Sequence, residues 1–514
     1  MMLSPSVLAL FLSPLLGAMA ALGFAPSPHP AWGVVALTLW LFLLGRLSPR
    51  RAALAGWLMG LGHFTLGNTW LLTSLHDNGG IPLPLAWGAV VLLAAVLALY
   101  PTLFALAATR LPRHPLAWTL GLPPLWVVSE LLRDALFTGF PWNPLGQIWE
   151  PCAPLFQLAA DGGVFLLSAA VVLPAAALAG ATLPGQSFAA RLLSPLLALL
   201  MLTWGWWRGT ALLEAPRVDA PPLRVVLVQG NIPQSLKWDE AFRDTTLERY
   251  EQLTTQVSEP ADLVLWPETA VPLFLEVYPE VRDRLAELVR AVNAPLLTGV
   301  PTALPLDKKL WRYHNSMILL DALGNVVSRY DKHHLVPFGE YIPLRRFLPW
   351  AVEKLTAGAE DFTPGPGPGG VVLGGDFLGT LVCYEVIFPW EVAELVARKR
   401  PRALLNVTND GWFGPAARPQ HLAMARLRAI ETRTPLARAA NTGISAAFDS
   451  RGRELTRIEA DSAGAEWVAL PAPEPPGLFV TLGRWWLLLW LLPLGAAFLP
   501  WRRVGRFESR GQWV

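Results

Sequence analysis

Charged residues are scarce in this sequence, and cysteines are almost absent. Of the 514 residues, 16% are charged and 53% are hydrophobic, whereas about one quarter of an ordinary soluble protein is charged. A formal net charge of +2 gives no sign of the excess basic charge that nucleic-acid-binding proteins carry, so no nucleic-acid partner is predicted. The two cysteines, Cys152 and Cys383, exclude a disulfide-rich scaffold and a cysteine-based metal cluster. Much of the chain is therefore expected to lie in lipid.

Long apolar runs account for the low charge. Most of them reach the roughly 20 residues that a helix needs to cross the hydrocarbon core of a bilayer. They predict a membrane domain of about seven transmembrane helices in residues 1–210 and a further transmembrane helix at residues 478–500. The runs cover residues 7–24, 31–44, 53–75, 83–108, 116–132, 155–183, 192–207 and 478–499.

Arginines are concentrated in every second loop between these runs. They follow the second, fourth, sixth and eighth runs, at Arg46, Arg50, Arg51, Arg110, Arg113, Arg191, Arg502, Arg503, Arg506 and Arg510. Loops rich in Lys and Arg stay in the cytoplasm, so both termini are predicted to be cytoplasmic, including a basic tail at residues 501–514. Residues 223–477 are then predicted to face the outer side of the membrane.

Residues 223–477 have a different pattern, with short apolar runs that end in polar residues. Runs such as LRVVLVQGN, ADLVLWPET and FLGTLVCYE are typical of buried strands. Helical patterns at residues 241–257, 280–292, 390–399 and 420–432 lie between them. This mixture of strands and helices predicts an α/β layered domain. The sequence has neither a GxxxxGK[ST] nor a GxGxxG motif, so no nucleotide site is predicted.

Three of the predicted strands are followed by polar side chains that could carry out chemistry. Glu268 follows an apolar strand in WPET, Lys332 lies at the end of a hairpin, and Cys383 follows another strand in LVCYE. Catalytic groups of α/β folds gather at such strand ends. Because a thiol is mostly protonated at neutral pH, the carboxylate could take its proton before the sulfur attacks. The lysine could then stabilise the oxyanion that forms.

Each of the three residues also has a structural interpretation when it is considered alone. A single cysteine on a strand is usually a small buried hydrophobe. Glu268 could cap a helix, and Lys332 could be a solvated charge on a hairpin. The strand-end pattern by itself therefore leaves catalytic and structural roles open.

Longer segments around these residues resemble the nitrilase, or carbon–nitrogen hydrolase, superfamily. They are WPET (266–269), DKHHLVPFGEYIP (331–343) and CYEVIFP (383–389). When QGNIPQSLKW (229–238), NVTNDGWFG (406–414) and the flanking apolar runs are added, nearly the whole chain is similar to the apolipoprotein N-acyltransferase family of the bacterial inner membrane.

This resemblance implies a four-layer α-β-β-α sandwich for residues 223–477 and an acyltransferase reaction. Glu268 is then the general base, Lys332 the oxyanion stabiliser and Cys383 the nucleophile that carries the acyl group as a thioester. Family residues around this triad or at the substrate entrance match Trp238, Glu340, Tyr384 and Glu385. The implied donor is a membrane phospholipid, and the implied acceptor is the α-amino group of the N-terminal diacylglyceryl-cysteine of an apolipoprotein. No metal or cofactor is implied, and a monomer is expected.

Two other functions are compatible with the residues. A membrane-tethered amidase or nitrilase would use the same site on small amides, with water as the acceptor, although eight spans exceed what a tether needs. A membrane scaffold or transporter with an inactive domain would keep the fold, although the presence of all three catalytic residues argues against it.

Two segments outside the triad suggest accessory roles. Glu130 and Arg133 lie three residues apart on one predicted helix, where they could form an interfacial ion pair or contact a lipid head group. Residues 344–355, LRRFLPWAVEKL, combine apolar side chains with basic neighbours, which is typical of a membrane interface. We expect this segment to be a lid that dips into the membrane; the alternative is a segment packed on the domain surface.

Overall fold

A computed structural model describes residues 4–26, 28–305, 311–343, 345 and 361–501. Apart from Arg345, the segment 344–355 lies outside the described residues, and so does the basic tail apart from Trp501. Arg345 is exposed and forms an ion pair with Asp361 at 2.8 Å. The lid therefore stays a prediction.

Helices fill most of residues 5–214. They are α1 (Pro5–Ala21), α2 (Pro30–Leu44), α3 (Pro49–Gly67), α4 (Leu83–Leu97), α5 (Leu99–Ala108), α6 (Pro115–Ala135), α7 (Ala153–Phe156), α8 (Ala159–Ala181) and α9 (Phe188–Glu214). Helices α1, α2, α3 and α6 begin at a proline, whose fixed φ suits the first turn of a helix. The backbones of α1 and α3 touch, because a Cβ on Gly62 would lie 2.0 Å from the Pro14 carbonyl oxygen.

Two six-stranded sheets organise the second half of the chain. The strands are β1 (Leu223–Gln229), β2 (Leu263–Leu265), β3 (Leu296–Pro305), β4 (Trp311–Leu320), β5 (Val326–Asp331), β6 (Gly369–Leu373), β7 (Asp376–Val382), β8 (Ala403–Thr408), β9 (Leu436–Ala440), β10 (Ser445–Phe448), β11 (Glu454–Ile458) and β12 (Gly464–Leu470). The first sheet has the order β12-β1-β2-β3-β4-β5, and the second has the order β11-β10-β9-β8-β7-β6. Strands β1 to β3 and strands β7 to β9 pair in parallel.

Helices cover the outer faces of both sheets, which gives four layers. They are α10 (Arg243–Thr255), α11 (Pro279–Val292), α12 (Pro389–Lys399) and α13 (Ala417–Thr432). One apolar core lies between the two sheets and includes Leu227 and Leu405. A second core packs α10 and α11 on the first sheet, and a third packs α12 and α13 on the second. The predicted α/β domain is confirmed.

The chain returns to apolar helix after the sandwich, through α14 (Leu478–Leu482) and α15 (Leu491–Ala497). Each of the eight predicted apolar runs contains helix in the structure. Among the described residues, four helical stretches are long and apolar enough to cross a membrane: Leu83–Ala108, Ala159–Ala181, Phe188–Glu214 and Leu478–Ala497. Ser6–Ala21 and Pro30–Leu44 are shorter apolar helices.

Helix α13, on the outer face of the second sheet, contacts helix α8 of the membrane domain. Helix α8 is interrupted at Gly162 and Gly163, and Gly163 has a φ of +63° where a Cβ would lie 2.7 Å from the Phe479 ring. The amide of Val164, just after this break, donates to Glu431 Oε1 on α13 at 2.7 Å. The backbone amide just after the break therefore ties α8 to the catalytic domain.

Candidate active site

The three predicted catalytic residues lie together at one end of the sandwich. Glu268 follows β2 and Lys332 follows β5 in the first sheet, and Cys383 follows β7 in the second sheet. Lys332 Nζ lies 3.5 Å from Glu268 Oε1, and the charges of both residues act on the Cys383 thiol. All three side chains are buried, with Lys332 only 1% exposed, so bulk water has little access to the group.

Cys383 has a backbone conformation that is unusual for a residue with a side chain. Its φ of +51° lies in the left-handed region, where β7 turns into the 3₁₀ turn Cys383–Ile387. Such strain persists where surrounding structure holds it, and His421 Nε2 lies 3.2 Å from the Cys383 carbonyl oxygen. Burial and the Glu268 carboxylate raise the pKa of the thiol, although Lys332 opposes them. The thiol is therefore protonated at neutral pH and needs a base.

Lys332 is held as a cation. Burial disfavours its charged form, but the carboxylates of Glu340 and Glu268 outweigh burial and raise the pKa of the amine. Its Nζ donates to Glu340 Oε1 at 3.0 Å and lies 2.9 Å from Oε2. A fixed positive charge with little access to water can stabilise an oxyanion on a substrate carbonyl group.

The Glu268 carboxylate is oriented by two donors. Asn315 Nδ2 on β4 donates to Oε1 at 2.8 Å, and the backbone amide of Asn409 donates to Oε2 at 2.9 Å. Asn315 also donates to Glu340 Oε1 at 2.8 Å, so one side-chain amide holds both carboxylates that flank Lys332. The carboxylate is thereby fixed beside the triad, where it can accept and return a proton.

Glu385, predicted to lie near the triad, links the two segments that carry Lys332 and Cys383. Its Oε1 accepts from the His333 amide and from the Tyr330 hydroxyl, both at 2.8 Å. Its Oε2 accepts from the Val382 amide at 2.7 Å. One buried carboxylate therefore fixes the turn of the nucleophile to the residues that follow β5.

Tyr384 and Trp238, also predicted to lie near the site, have different surroundings. The Tyr384 hydroxyl donates to the Gly139 carbonyl oxygen at 3.2 Å, so its ring reaches a loop of the membrane domain. Trp238 is 41% exposed, which suits a residue at an entrance better than one in contact with the thiol.

A buried polar network beneath Cys383 was not predicted from the sequence. Arg438 Nη2 on β9 lies 2.6 Å from Asp410 Oδ2 and 3.2 Å from His421 Nδ1. Burial, and after it the Arg438 charge, lower the pKa of His421. His421 Nδ1 also lies 3.1 Å from Asp410 Oδ1, and its Nε2 faces the Cys383 carbonyl oxygen, so the ring joins the Arg438–Asp410 pair to the backbone of the nucleophile. Asp410 lies in the quoted segment NVTNDGWFG, but nothing in the sequence marks His421.

A second buried lysine beside the triad was also not predicted. Lys237 Nζ donates to the backbone carbonyl oxygen of Glu268 at 3.1 Å. Burial lowers the pKa of this amine to about 8, although the charges of Glu268 and Cys383 raise it. Lys237 directly precedes Trp238, and an isolated lysine in a loop gives no sign that it will be buried.

Glu130 and Arg133 bind a loop of the membrane domain rather than each other, so the expected ion pair is wrong. Both side chains are buried. Glu130 Oε1 accepts from the Leu145 amide at 2.8 Å, and Arg133 donates to the carbonyl oxygens of Phe140 and Trp142. The two residues therefore anchor the loop FTGFPWNPLG (137–146).

This loop reaches the catalytic domain close to the nucleophile. Trp142 Nε1 donates to Gln420 Oε1 on α13 at 2.8 Å, and the Trp142 ring lies 5.7 Å from the His421 ring. Gly139 accepts from Tyr384, as described above. The membrane domain thus contacts two residues next to Cys383, namely Tyr384 and His421.

Two regions of the chain match family models. Residues 16–177 match the apolipoprotein N-acyltransferase N-terminal domain, and residues 224–469 match carbon-nitrogen hydrolase. The α/β fold and the second match define residues 224–469 as a carbon–nitrogen hydrolase domain. The apolipoprotein N-acyltransferase of Geobacter metallireducens is 38% identical to this chain, and the match covers 85% of this chain and 84% of the relative. That of Azotobacter vinelandii is also 38% identical, and the match covers 86% of each chain. The chain belongs to the apolipoprotein N-acyltransferase family and is an acyltransferase.

Solved structures resemble the chain over about half its length. An amidase from Nesterenkonia sp. AN1 is 22% identical and covers 50% of this chain and 94% of its own, with a TM-score of 0.37. The C. elegans NitFhit protein is 19% identical and covers 53% of this chain and 65% of its own, with a TM-score of 0.39.

Proposed function

We propose that this chain transfers an acyl chain from a membrane phospholipid to the α-amino group of the N-terminal diacylglyceryl-cysteine of an apolipoprotein. The observation that carries the proposal is that Cys383, Glu268 and Lys332 form one buried group. The domain that contains this group is preceded and followed in the sequence by apolar helices. The names of the relatives support this substrate class. Both substrates are held in the membrane, so an enzyme fixed there meets both.

In the first half-reaction, Glu268 takes the thiol proton while the Cys383 sulfur attacks the ester carbonyl carbon of the phospholipid. The Lys332 ammonium stabilises the negative charge on the carbonyl oxygen. The bond to the glycerol oxygen then breaks, Glu268 gives its proton to that oxygen, and a lysophospholipid leaves. Cys383 now carries the acyl chain as a thioester, and Glu268 is a carboxylate again.

In the second half-reaction, the neutral α-amino group of the acceptor attacks the thioester carbonyl carbon. Glu268 accepts a proton from the nitrogen and passes it to the departing sulfur, so an amide forms and the Cys383 thiol is restored. An α-amino group has a pKa of about 7.7–8.0, so a large fraction is neutral near that pH. One site serves both substrates in turn, which predicts ping-pong kinetics.

The residues around the triad act by position in this proposal. Glu340 holds the Lys332 ammonium through the contacts at 3.0 and 2.9 Å. Glu385 fixes the nucleophile turn, and Tyr384 joins that turn to the loop of the membrane domain. Trp238, which is exposed, lies at the entrance for substrate.

The proposed membrane arrangement follows the arginine-rich loops. About seven spans in residues 1–210 and one at 478–500 place both termini in the cytoplasm of a bacterium. The catalytic domain at 223–477 then lies on the outer side of the inner membrane, and the tail at 501–514 lies inside. The proposal needs only a monomer, since one chain supplies every residue of the proposed site.

A direct assay separates acyl transfer from the alternative of amide hydrolysis. Purified enzyme is incubated with phospholipid and a diacylglyceryl-cysteine peptide, and separately with small amides. Transfer predicts an N-acylated peptide and an equal amount of lysophospholipid. Release of free fatty acid without N-acylated peptide, together with turnover of small amides, would support the membrane-tethered amidase instead.

Lys332→Met is expected to slow acyl loading by roughly 10²–10³-fold, the loss that follows removal of one oxyanion contact, or about 2.7–4 kcal/mol. Methionine keeps much of the length and apolar volume of the side chain but removes its charge. The rate is measured by intact-protein mass spectrometry in a single turnover from phospholipid. Loading at the wild-type rate would show that Lys332 has no part in stabilising the oxyanion.

Acyl loading is expected to depend on pH through Lys237, and replacing Lys237 by arginine is expected to remove that dependence. Its charged amine holds the Glu268 backbone, so loading by the wild type should fall as the pH rises through about 8, where the amine loses its proton. Lys237→Arg keeps its charge across this range and should not show that fall, whereas Lys237→Met should be slow throughout. Identical pH profiles for the wild type and Lys237→Arg would remove Lys237 from the mechanism.

A further inference from the structure

Two histidines and a glutamate that the proposed mechanism does not use converge beside the active site. His333 and His334 directly follow Lys332, and Glu391 lies in the first turn of α12. His333 Nε2 lies 2.9 Å from Glu391 Oε2, and His334 Nδ1 lies 2.8 Å from Glu391 Oε1. One donor atom from each of the three side chains lies within 4.8 Å of the others, which is close enough for all three to reach a single ion.

The two imidazole rings are fixed in orientation by other contacts. His333 Nδ1 lies 2.7 Å from Glu385 Oε1, which leaves Nε2 as the nitrogen that faces Glu391. A carboxylate on the far nitrogen of a histidine is the usual outer contact of a metal-bound imidazole, where it fixes the ring and raises its basicity. The His334 ring stacks on Phe388 at 3.8 Å between centroids, so its nitrogen is also held in place.

Charge and access at this cluster suit a divalent cation. Glu385 and Glu391 together supply two negative charges around the rings, which equals the charge of one such ion. The side chains of His333, His334 and Glu391 are 15%, 14% and 28% exposed, so an ion can arrive from water. A water molecule can then complete a four-coordinate sphere. Two histidines with one carboxylate are an established ligand set for zinc.

We propose that His333 Nε2, His334 Nδ1 and the Glu391 carboxylate bind one transition-metal dication of the zinc class. Imidazole nitrogens favour zinc, copper and nickel over magnesium and calcium. When the ion binds, any ring proton shared with Glu391 leaves to solvent, and no bond to substrate is made. The ion would connect the segment after Lys332 to α12 and so form a crosslink beside the site. This structural role is separate from the transfer reaction.

Isothermal titration of the full-length enzyme with Zn²⁺ tests this site. The enzyme is purified in detergent with a histidine-free tag and stripped with chelator. One Zn²⁺ per chain is expected. His334→Phe keeps an aromatic ring against Phe388 but removes the ligand nitrogen, and Glu391→Gln removes the charged ligand. Each should weaken binding by at least about tenfold, the lower limit seen even for loss of outer contacts of a metal site.

His76→Ala is the matched control, because His76 is exposed in the π-helical turn Thr73–Asn78 and its Nδ1 lies 2.8 Å from the Ile81 carbonyl oxygen. It should bind Zn²⁺ as the wild type does. Thermal melting of the metal-free variants identifies any that fail to fold, and His334→Phe then decides the matter because it preserves the ring packing. No Zn²⁺ binding by the wild type, or unchanged affinity in folded His334→Phe, would overturn the site.

Discussion

Cys383→Ala is expected to abolish both acyl-enzyme formation and acyl transfer. The thiol of Cys383 is the nucleophile in the proposed reaction, and the buried group offers no other thiol. Cys152→Ala should keep both activities near the wild-type level, because Cys152 precedes α7 in the membrane domain and takes no part in the site. Acyl loading from phospholipid, measured by intact-protein mass spectrometry, is the readout for both variants.

Folding of the Cys383 variant has to be checked, because residue 383 adopts a strained left-handed conformation. Thermal melting of Cys383→Ala beside the wild type supplies that control, and Cys383→Ser provides a second folded variant with a poorer nucleophile. Substantial N-acylation of a lipopeptide by folded Cys383→Ala would remove the thioester from the mechanism. If Cys152→Ala lost loading while Cys383→Ala kept it, the assignment of the thioester to Cys383 would be wrong.

Glu268→Gln is expected to lower the rate of acyl loading by about 10²–10⁴-fold, the usual contribution of a general base. The burial that raises the pKa of the Cys383 thiol makes a base necessary, since spontaneous ionisation is rare. Glutamine keeps the size of the side chain and an oxygen that can accept from Asn315, so the change removes chiefly the proton acceptor. The single-turnover loading rate is the measurement.

Glu340→Gln is the matched control for Glu268, because both carboxylates flank Lys332. Glu340 Oε2 accepts from the Val336 amide at 2.8 Å, and Oε1 accepts from Lys332 and Asn315. Through these contacts Glu340 positions the lysine. Removing the Glu340 carboxylate should therefore slow loading less than removing the Glu268 carboxylate does. Equal losses in the two variants, or normal loading by Glu268→Gln, would contradict the assignment of the base.

Glu268 and Cys383 could be placed from the sequence because each follows a buried apolar strand, and Lys332 could be placed because it ends a predicted hairpin. The residue that follows a strand lies at the edge of the sheet. Placing Glu268, Lys332 and Cys383 therefore required only that the strands before them be identified. Helices α10 to α13 were predicted within a few residues for a similar reason, since their apolar spacing is regular.

Buried charge explains the main omissions. Strand β9 has the sequence LARAA, and Arg438 interrupts the apolar pattern that marks a strand. This arginine is fully buried, because Asp410 pairs with it from another strand end. Lys237 and His421 were not identified for the same reason: the groups that stabilise them are distant in the sequence and meet them only in the folded chain.

The loop anchored by Glu130 and Arg133 shows how the membrane domain can influence the chemistry. The spacing of these residues suggested a bond between them, but the chain turns back after α6 and offers backbone groups that a buried charge can bind. Through Trp142 and Gly139 the loop then contacts the catalytic domain. The membrane helices therefore do more than anchor the catalytic domain, since they support residues next to the nucleophile.

The most direct measurement is a chase of the isolated acyl-enzyme. Enzyme loaded from phospholipid and freed of donor is mixed with a diacylglyceryl-cysteine peptide, and both are followed by mass spectrometry. A Cys383 thioester intermediate predicts that the acyl mass leaves the enzyme much faster with the peptide than without it, and that an equal amount of N-acylated peptide appears. Loss of the acyl mass at the same rate in both samples, with no N-acylated peptide, would contradict transfer through this thioester.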